Sequence, residues 1–263
     1  MPSKKEEILS YRSRDGVRLR GLLRKSDVEP LRGNAILAHG LNNDKDEDGS
    51  FVRLSQLLAR NGYNVMRFDF RGHGDSKGNT QDVTVSGELS DFERTVQVLE
   101  EKTGTRGNLT IVASSFGASS SILYTSKNER LVTKLVLWNP VLDYDKTFLH
   151  AETPWGRTYF NPQGYKRLET LGYVTIPTTE FHIGRAMVDE FRKIKPYRIL
   201  SKFKIPVLTI HGTLDQSVPY SVSAKYGRPN SRSRFISHDC DHQFIGMEDT
   251  VIRETVNWIL TDK

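Results

Sequence analysis

Two hydrophobic periods take turns along this chain. In the run Asn34-Ala-Ile-Leu-Ala-His39-Gly40 the residues between Asn34 and His39 are continuously apolar, the pattern of a strand covered on both faces. Phe51, Leu54, Leu57 and Leu58 then recur at helical spacing, with Gly62 as the stop. Tyr63 to Phe70 predicts the next strand, and Leu89, Phe92, Val96 and Leu99 the next helix. Asn108 to Val112 is again strand-like, a helix-forming run follows at once, and Leu131 to Trp138 predicts a further strand. Such alternation implies parallel strands, because a parallel pair needs a crossover of a dozen or more residues, usually a helix. Ahead of it, Glu7 to Ser13 and Val17 to Lys25 flank Asp15-Gly16, a two-residue hairpin signal that places an antiparallel pair at the N-terminal edge.

The alternation returns late in the chain. Pro206 to His211 and Ser233 to Ser237 read as strands, Val222 to Tyr226 as a short helix, and Met247 to Leu260 as a helix burying Ile252, Val256, Ile259 and Leu260. The predicted class is α/β: a mostly parallel, doubly wound sheet with an N-terminal antiparallel hairpin. Between Trp138 and Pro206 the pattern breaks. Six of the ten prolines lie from Pro140 to Pro206, and Phe148, Trp155, Tyr159, Phe160, Tyr165, Tyr173 and Phe181 crowd the same stretch. One helix is expected near Ile183, Met187, Val188 and Phe191. An insertion this long on a short-loop scaffold is usually functional. Residues 142–203 are therefore expected to form a cap over the carboxyl edge of the sheet, on a core of residues 1–141 and 204–263.

Composition narrows the class only a little. A chain of 263 residues, 37% hydrophobic and 27% charged, fits one α/β domain with an insertion. No apolar run approaches the roughly 20 residues of a membrane span, and no apolar signal region follows the lysines at the start. The single cysteine, Cys240, excludes an internal disulfide and suits a reducing compartment, so a cytoplasmic location is expected. The net charge is +6, with a dense basic run through Arg192, Lys193, Lys195, Arg198, Lys202 and Lys204. No aromatic recognition motif accompanies it, so it reads as a solvated face and not a nucleic-acid site.

Candidate chemistry sits at the strand ends. In Ala113-Ser114-Ser115-Phe116-Gly117 a strand runs into a serine with a small residue two positions to either side. A serine on a tight strand-to-helix turn needs those small flanks, and the turn lifts its hydroxyl above the sheet edge. The Phe116 N–H then sits at a helix N-terminus, able to face a developing oxyanion. Moving the frame to Ser114 puts Val112 and Phe116 at the flanks, so Ser115 is the candidate nucleophile. His39-Gly40-Leu41 ends an earlier strand on the same edge, and its turn lets the Leu41 N–H act as second oxyanion donor. A serine hydroxyl needs a neutral imidazole to take its proton, and the imidazole needs a carboxylate to hold its tautomer. Asp215, in the turn after His211, is the best-placed acid, with Asp143 and Asp145 as alternatives. His242 is the best-placed base, with His238 as the alternative.

The set His39-Gly40-Leu41, Asp69-Phe-Arg71-Gly72-His73-Gly74-Asp75-Ser76, Ala113-Ser-Ser115-Phe-Gly117, His211-Gly212-Thr-Leu-Asp215-Gln-Ser-Val-Pro219 and Asp241-His242-Gln-Phe244 resembles the α/β hydrolases over nearly the whole chain. Within them it resembles the serine aminopeptidase-like branch, and there the bacterial cinnamoyl and feruloyl esterases. The resemblance implies Ser115 as nucleophile, His242 as base, Asp215 as acid, backbone donors at Leu41 and Phe116, and a cap in the inserted segment. It implies a small-molecule ester as substrate, and no metal or organic cofactor. Ala113 stands where a glycine is usual. Ala-x-Ser at this turn is also similar to acyl-carrier-protein thioesterases of bacterial luciferase systems, which leaves a thioester as the alternative substrate.

Two further motifs weigh little. Asp44-Lys-Asp46-Glu-Asp48-Gly49 matches the first half of a calcium loop, but Ser55 stands where the bidentate Glu belongs, so a solvated acidic loop is expected. Gly72-x-Gly74 follows a strand, but Gly78 is one residue late for a dinucleotide fingerprint; Asp69 to Gly78 reads as a structural turn under the site.

Overall fold

A computed structural model of the protein describes residues 6–176 and 180–261. The sheet strands are β1 (Glu6–Arg12), β2 (Arg18–Arg24), β3 (Gly33–Ala38), β4 (Tyr63–Asp69), β5 (Leu109–Ser114), β6 (Val132–Trp138), β9 (Val207–Gly212) and β10 (Arg234–His238). They line up in the order β1-β2-β4-β3-β5-β6-β9-β10. From β4 to β10 every neighbouring pair is parallel, while β1 and β2 form an antiparallel pair that adds to β4, also antiparallel. The predicted hairpin is there, with a longer turn than two residues. Ser13 N–H donates to Val17 O at 2.9 Å and Gly16 N–H to Ser13 O at 3.0 Å, so Arg14, Asp15 and Gly16 all lie in the loop. Gly16 carries the positive φ (89°) that closes it.

Helices pack on both faces, and the parity of each strand shows why. Ile36, Ala38, Met66, Phe68, Ile111, Ala113, Leu135 and Leu137 point to one side. There they meet Leu89, Phe92, Val96 and Leu99 of α2 (Val85–Thr103) and Ile122 of α3 (Gly117–Asn128). The alternate residues Ala35, Leu37, Val65, Val112, Val136, Leu208 and Ile210 point to the other side. There they meet Phe51, Leu54 and Leu58 of α1 (Ser50–Arg60) and Val251, Ile252, Val256 and Ile259 of α9 (Glu248–Leu260). Strands buried on both faces in this way are what all-parallel sheets require.

The segment between β6 and β9 holds α4 (Pro154–Tyr159), α5 (Pro162–Thr170), a small antiparallel pair β7 (Tyr173–Ile176) and β8 (Phe181–Gly184), α6 (Arg185–Lys193) and α7 (Pro196–Leu200). The remaining helix, α8 (Tyr220–Tyr226), follows β9. The helix expected around Ile183 begins only at Arg185; Ile183 itself faces inward from β8, opposite Val174. Tyr144, Phe148, Phe160, Phe181, Ile183, Met187, Val188 and Phe191 form a cluster of their own, which also takes in Phe116 and Val218 from the sheet edge. Phe148 stacks on Phe191 at 4.5 Å, and Phe116 meets both rings edge-on. The inserted segment is thus packed directly onto the residue that follows Ser115. Leu200 and Phe203 instead join the core beneath the sheet.

Candidate active site

Strand order turns around between β3 and β5: the chain leaves β3 toward β4 on one side and returns to β5 on the other. Ligands in open α/β sheets bind in the crevice outside the carboxyl ends at such a point. Ser115 follows β5 there. Its φ of 49° is left-handed, a cost for a side chain with a Cβ that the surroundings must over-determine. They do so through Ser115 N–H donating to Trp138 O at 2.7 Å and Val141 N–H donating to Ser115 O at 3.0 Å. Gly117 must be glycine, since a Cβ would stand 2.4 Å from His39 O and 2.5 Å from Ala38 O. Ala113 needs no such relief, because its methyl packs into the core below.

Ser115 Oγ lies 3.0 Å from His242 Nε2, and His242 Nδ1 lies 2.6 Å from Asp215 Oδ2. A carboxylate only accepts, so Nδ1 carries the proton and Nε2 is left bare toward the hydroxyl. The other Asp215 oxygen accepts the N–H groups of Ser217 (2.7 Å) and Val218 (2.8 Å). Burial alone would push the Asp215 carboxyl up; the neighbouring His242 and His211 imidazoles outweigh it and hold it well below the usual carboxylate range. Burial likewise lowers His242, and the Asp215 charge and hydrogen bond more than reverse this, leaving the imidazole more basic than usual.

The alternatives from sequence are engaged elsewhere. His238 Nε2 lies 2.9 Å from Glu254 Oε2. Asp145 pairs with His150 at 2.9 Å, and Asp143 accepts the Asp145 N–H at 3.0 Å. Leu41 and Phe116 both border the same pocket as Ser115 and His242, and neither backbone N–H donates to a carbonyl among the described residues. Behind Leu41, His39 Nε2 accepts the Phe70 N–H at 3.0 Å, so its Nδ1 holds the proton and donates to Gly40 O at 2.8 Å. Full burial lowers this histidine to about 4, so it stays neutral and pins the turn. The turn Asp69 to Ser76 braces the same loop: Asp69 accepts the N–H groups of Lys45 (2.7 Å) and Asp75 (2.9 Å).

Three contributors were assigned no role from the sequence. His211, fully buried, sits with Nε2 3.0 Å from Asp215 Oδ2, while its Nδ1 meets Ser223 Oγ at 2.8 Å. Asn139 donates to His242 O at 2.7 Å and accepts the Gly212 N–H at 2.9 Å, clamping both late loops to the end of β6. Only the Asn-Pro pair after the strand could have hinted at it. The third is Glu47, whose Oε2 accepts the Gly40 N–H at 2.9 Å.

Two cavities flank Ser115. One, of about 130 Å³, is bordered by Leu41, Phe116, Val141, Phe148, Trp155 and Val218. The other, of about 230 Å³, is more polar and bordered by Asn42, Asn43, Glu47, Asp48 and Gln243. A larger groove of about 840 Å³ runs past Lys134, Arg232, Arg234 and Trp258 at the amino ends of the strands, away from Ser115. The described residues include no group of three or more histidine, cysteine, aspartate or glutamate side chains placed to hold a metal ion. They also include no helix long and apolar enough to cross a membrane.

The chain is similar to known proteins in sequence or in fold. The uncharacterized protein YfhR of Escherichia coli O157:H7 is 27% identical over 263 residues, covering 97% of this chain and 81% of its own. Est1E from Butyrivibrio proteoclasticus, solved with ferulic acid bound, superposes with a TM-score of 0.80 at 19% identity, over 96% of this chain and 98% of that one. The Pyrococcus furiosus esterase Pf2001 superposes with a TM-score of 0.69 at 19% identity, over 97% and 91%. The family described as serine aminopeptidase, S33, matches residues 29–244. With four-fifths of its length inside that match and the sheet order above, the chain belongs to the serine aminopeptidase, S33, family and is a hydrolase of the α/β-hydrolase fold.

Proposed function

We propose that this hydrolase is a serine carboxylesterase working through an acyl-enzyme on Ser115. The observation that carries the reading is the unbroken chain from Ser115 Oγ through His242 to Asp215, at 3.0 and 2.6 Å, opening on a cavity of mixed polar and apolar lining that includes Phe116, Phe148, Trp155 and Val218. Ser115 Oγ attacks the ester carbonyl while His242 Nε2 takes its proton, and the charge on the carbonyl oxygen falls to the N–H groups of Leu41 and Phe116. His242 returns the proton to the leaving alcohol, then activates a water that frees the acid. Asp215 holds the imidazole's tautomer and stabilises the imidazolium.

Within the inserted segment, residues 142–203, the part that bears Phe148 and Trp155 serves as the cap: both form part of the pocket wall beside Ser115. That cavity, at about 130 Å³, is smaller than the roughly 300 Å³ of sites that enclose drug-sized ligands, so a small acyl or aryl group suits it. Est1E's bound ferulic acid supports an aryl ester as one substrate type.

The test is a matched series of p-nitrophenyl and cinnamoyl oxygen esters against acyl-CoAs, with wild type and Ser115→Ala. Oxygen esters are expected to give the higher kcat/KM, and Ser115→Ala to lose at least about 10³-fold in kcat. A higher kcat/KM on acyl-CoAs would transfer the same mechanism to a thioesterase. Near-normal ester hydrolysis by Ser115→Ala would end the reading.

A further inference from the structure

The acidic stretch Asp44 to Gly49, expected from sequence to be a solvated loop, turns one carboxylate inward. Its neighbours are occupied. Asp44 accepts the Asp46 N–H at 2.8 Å, Asp46 pairs with the buried Arg67, and Lys45 is held by Asp69 through both its N–H and its Nζ. Glu47 and Asp48 then both take left-handed backbone, φ 45° and 51°, before Gly49 at 86°. Two consecutive non-glycine residues in that region are costly, and such strain collects at functional sites. Here it swings Glu47 Oε2 onto the Gly40 N–H, one residue before Leu41. Glu47 also borders the polar cavity that contains Ser114, Ser115 and His242.

We propose that Glu47 is a positioning residue of the Ser115 centre: it fixes the turn that carries the Leu41 N–H and, where ionised, faces the cavity that His242 also borders. This rests on the serine-hydrolase reading above. Burial pushes the Glu47 carboxyl up to about 7, with the Asp48 charge adding to the rise; the Gly40 N–H, the Ser114 hydroxyl and His242 oppose it. On His242 the Asp215 charge acts most strongly in favour of the imidazolium, with Glu47 and Asp241 in the same direction.

Three variants separate the two parts of the role. Glu47→Ala removes both acceptor and charge; Glu47→Gln keeps an acceptor for Gly40 and removes the charge; Glu47→Asp keeps the charge on a shorter arm. Glu47→Ala is expected to lower kcat roughly 100-fold with a smaller change in KM, the order of a misplacement of about 1 Å and the low end of the cost of losing an oxyanion donor. Glu47→Gln is expected to recover most of kcat. Its kcat/KM–pH profile shifts its acid limb to lower pH, because an imidazolium without Glu47 loses its proton more easily. Glu47→Asp keeps that limb close to wild type.

Stability gives an independent readout. A carboxyl raised from 4.5 to about 7 contributes stability that is fully present below the lower value and is lost as pH rises through the higher. Glu47→Gln should therefore have a higher Tm than wild type at pH 8, with the gap closing toward pH 5. Two results overturn the inference: wild-type kcat and pH profile in both Glu47→Ala and Glu47→Gln, or an equal loss of kcat in both with an unmoved limb and a lower Tm at pH 8. Labelling of wild type with a fluorophosphonate tells the two failures apart. A labelled Ser115 with silent Glu47 variants sinks this inference alone, and an unlabelled Ser115 sinks both.

Discussion

At the scale of single residues, the candidate site is a problem of holding protons in place. His242 accepts from Ser115 only while Nε2 is bare, and Asp215 secures that by binding Nδ1–H at 2.6 Å. The same carboxylate raises the imidazole above its ordinary value, with a sign that can be worked out. On the proposed mechanism, His242 below its folded pKa is protonated and cannot take the serine proton, and above it can. The kcat/KM of ester hydrolysis is therefore expected to rise with pH through a midpoint above about 6.5, the ordinary histidine value. Asp215→Asn should drop kcat by about 10⁴-fold, the order seen when the tautomer is lost, and move that limb to lower pH. A limb that stays in place in Asp215→Asn would assign the titration to another group. The sequence pointed to Ser115, Asp215 and His242 because each lies just past a strand, in the order Ser, Asp, His, with small residues flanking the serine, and the structure brings the three side chains together. The sequence did not point to Glu47 or His211: each acts through a contact created by folding, one from an acidic loop and one from inside β9, and neither spacing nor composition marks it.

At the scale of elements, the loop after β4 shows how a surface turn can support a site it does not enter. Arg71 is the fastener. Its Nε and one terminal nitrogen bind the buried Asp91 of α2 at 2.9 and 2.8 Å, and it reaches Asp15 in the hairpin turn at 2.7 Å. The Arg71 N–H also donates to Asp91. Removing the guanidinium leaves Asp91, fully buried, with much of its charge uncompensated. Arg71→Met is expected to cost about 3–5 kcal/mol in urea unfolding, the range for breaking one partner of a buried pair. A loss under about 1 kcal/mol would mean that water or rearrangement satisfies Asp91 instead. Sequence located this turn beneath the site from its strand-end position and its glycines. It could not show that α2 and the hairpin are both tied to it, since those ion pairs join residues 20 and 56 positions apart. The inserted segment was legible as an interruption, through its prolines and aromatics. Its β7–β8 pair was not, because two four-residue strands are too short for a period to register.

At the scale of the molecule, the fold follows from burying both faces of a parallel sheet. Alternate residues of each strand feed two separate cores, and a third apolar cluster forms where the inserted segment meets Phe116. That third cluster links the pocket wall to the turn that presents Ser115, so pocket shape and Ser115 geometry are set by one set of contacts. The crossover at β3 and β5 opens the crevice, and the carboxyl ends of β3, β5 and β9 deliver the His39, Ser115 and Asp215 loops into it. The class of sheet was readable from alternation alone. The strand order was not, because hydrophobic period says which segments are strands and nothing about which lie side by side.

The central claim is that Ser115 is an armed nucleophile, and incubation with a fluorophosphonate probe followed by peptide mass spectrometry tests it most directly. The account predicts a single phosphonylated site at Ser115, lost in His242→Ala. A folded wild-type protein that remains unlabelled, or a label on any other residue, would contradict it.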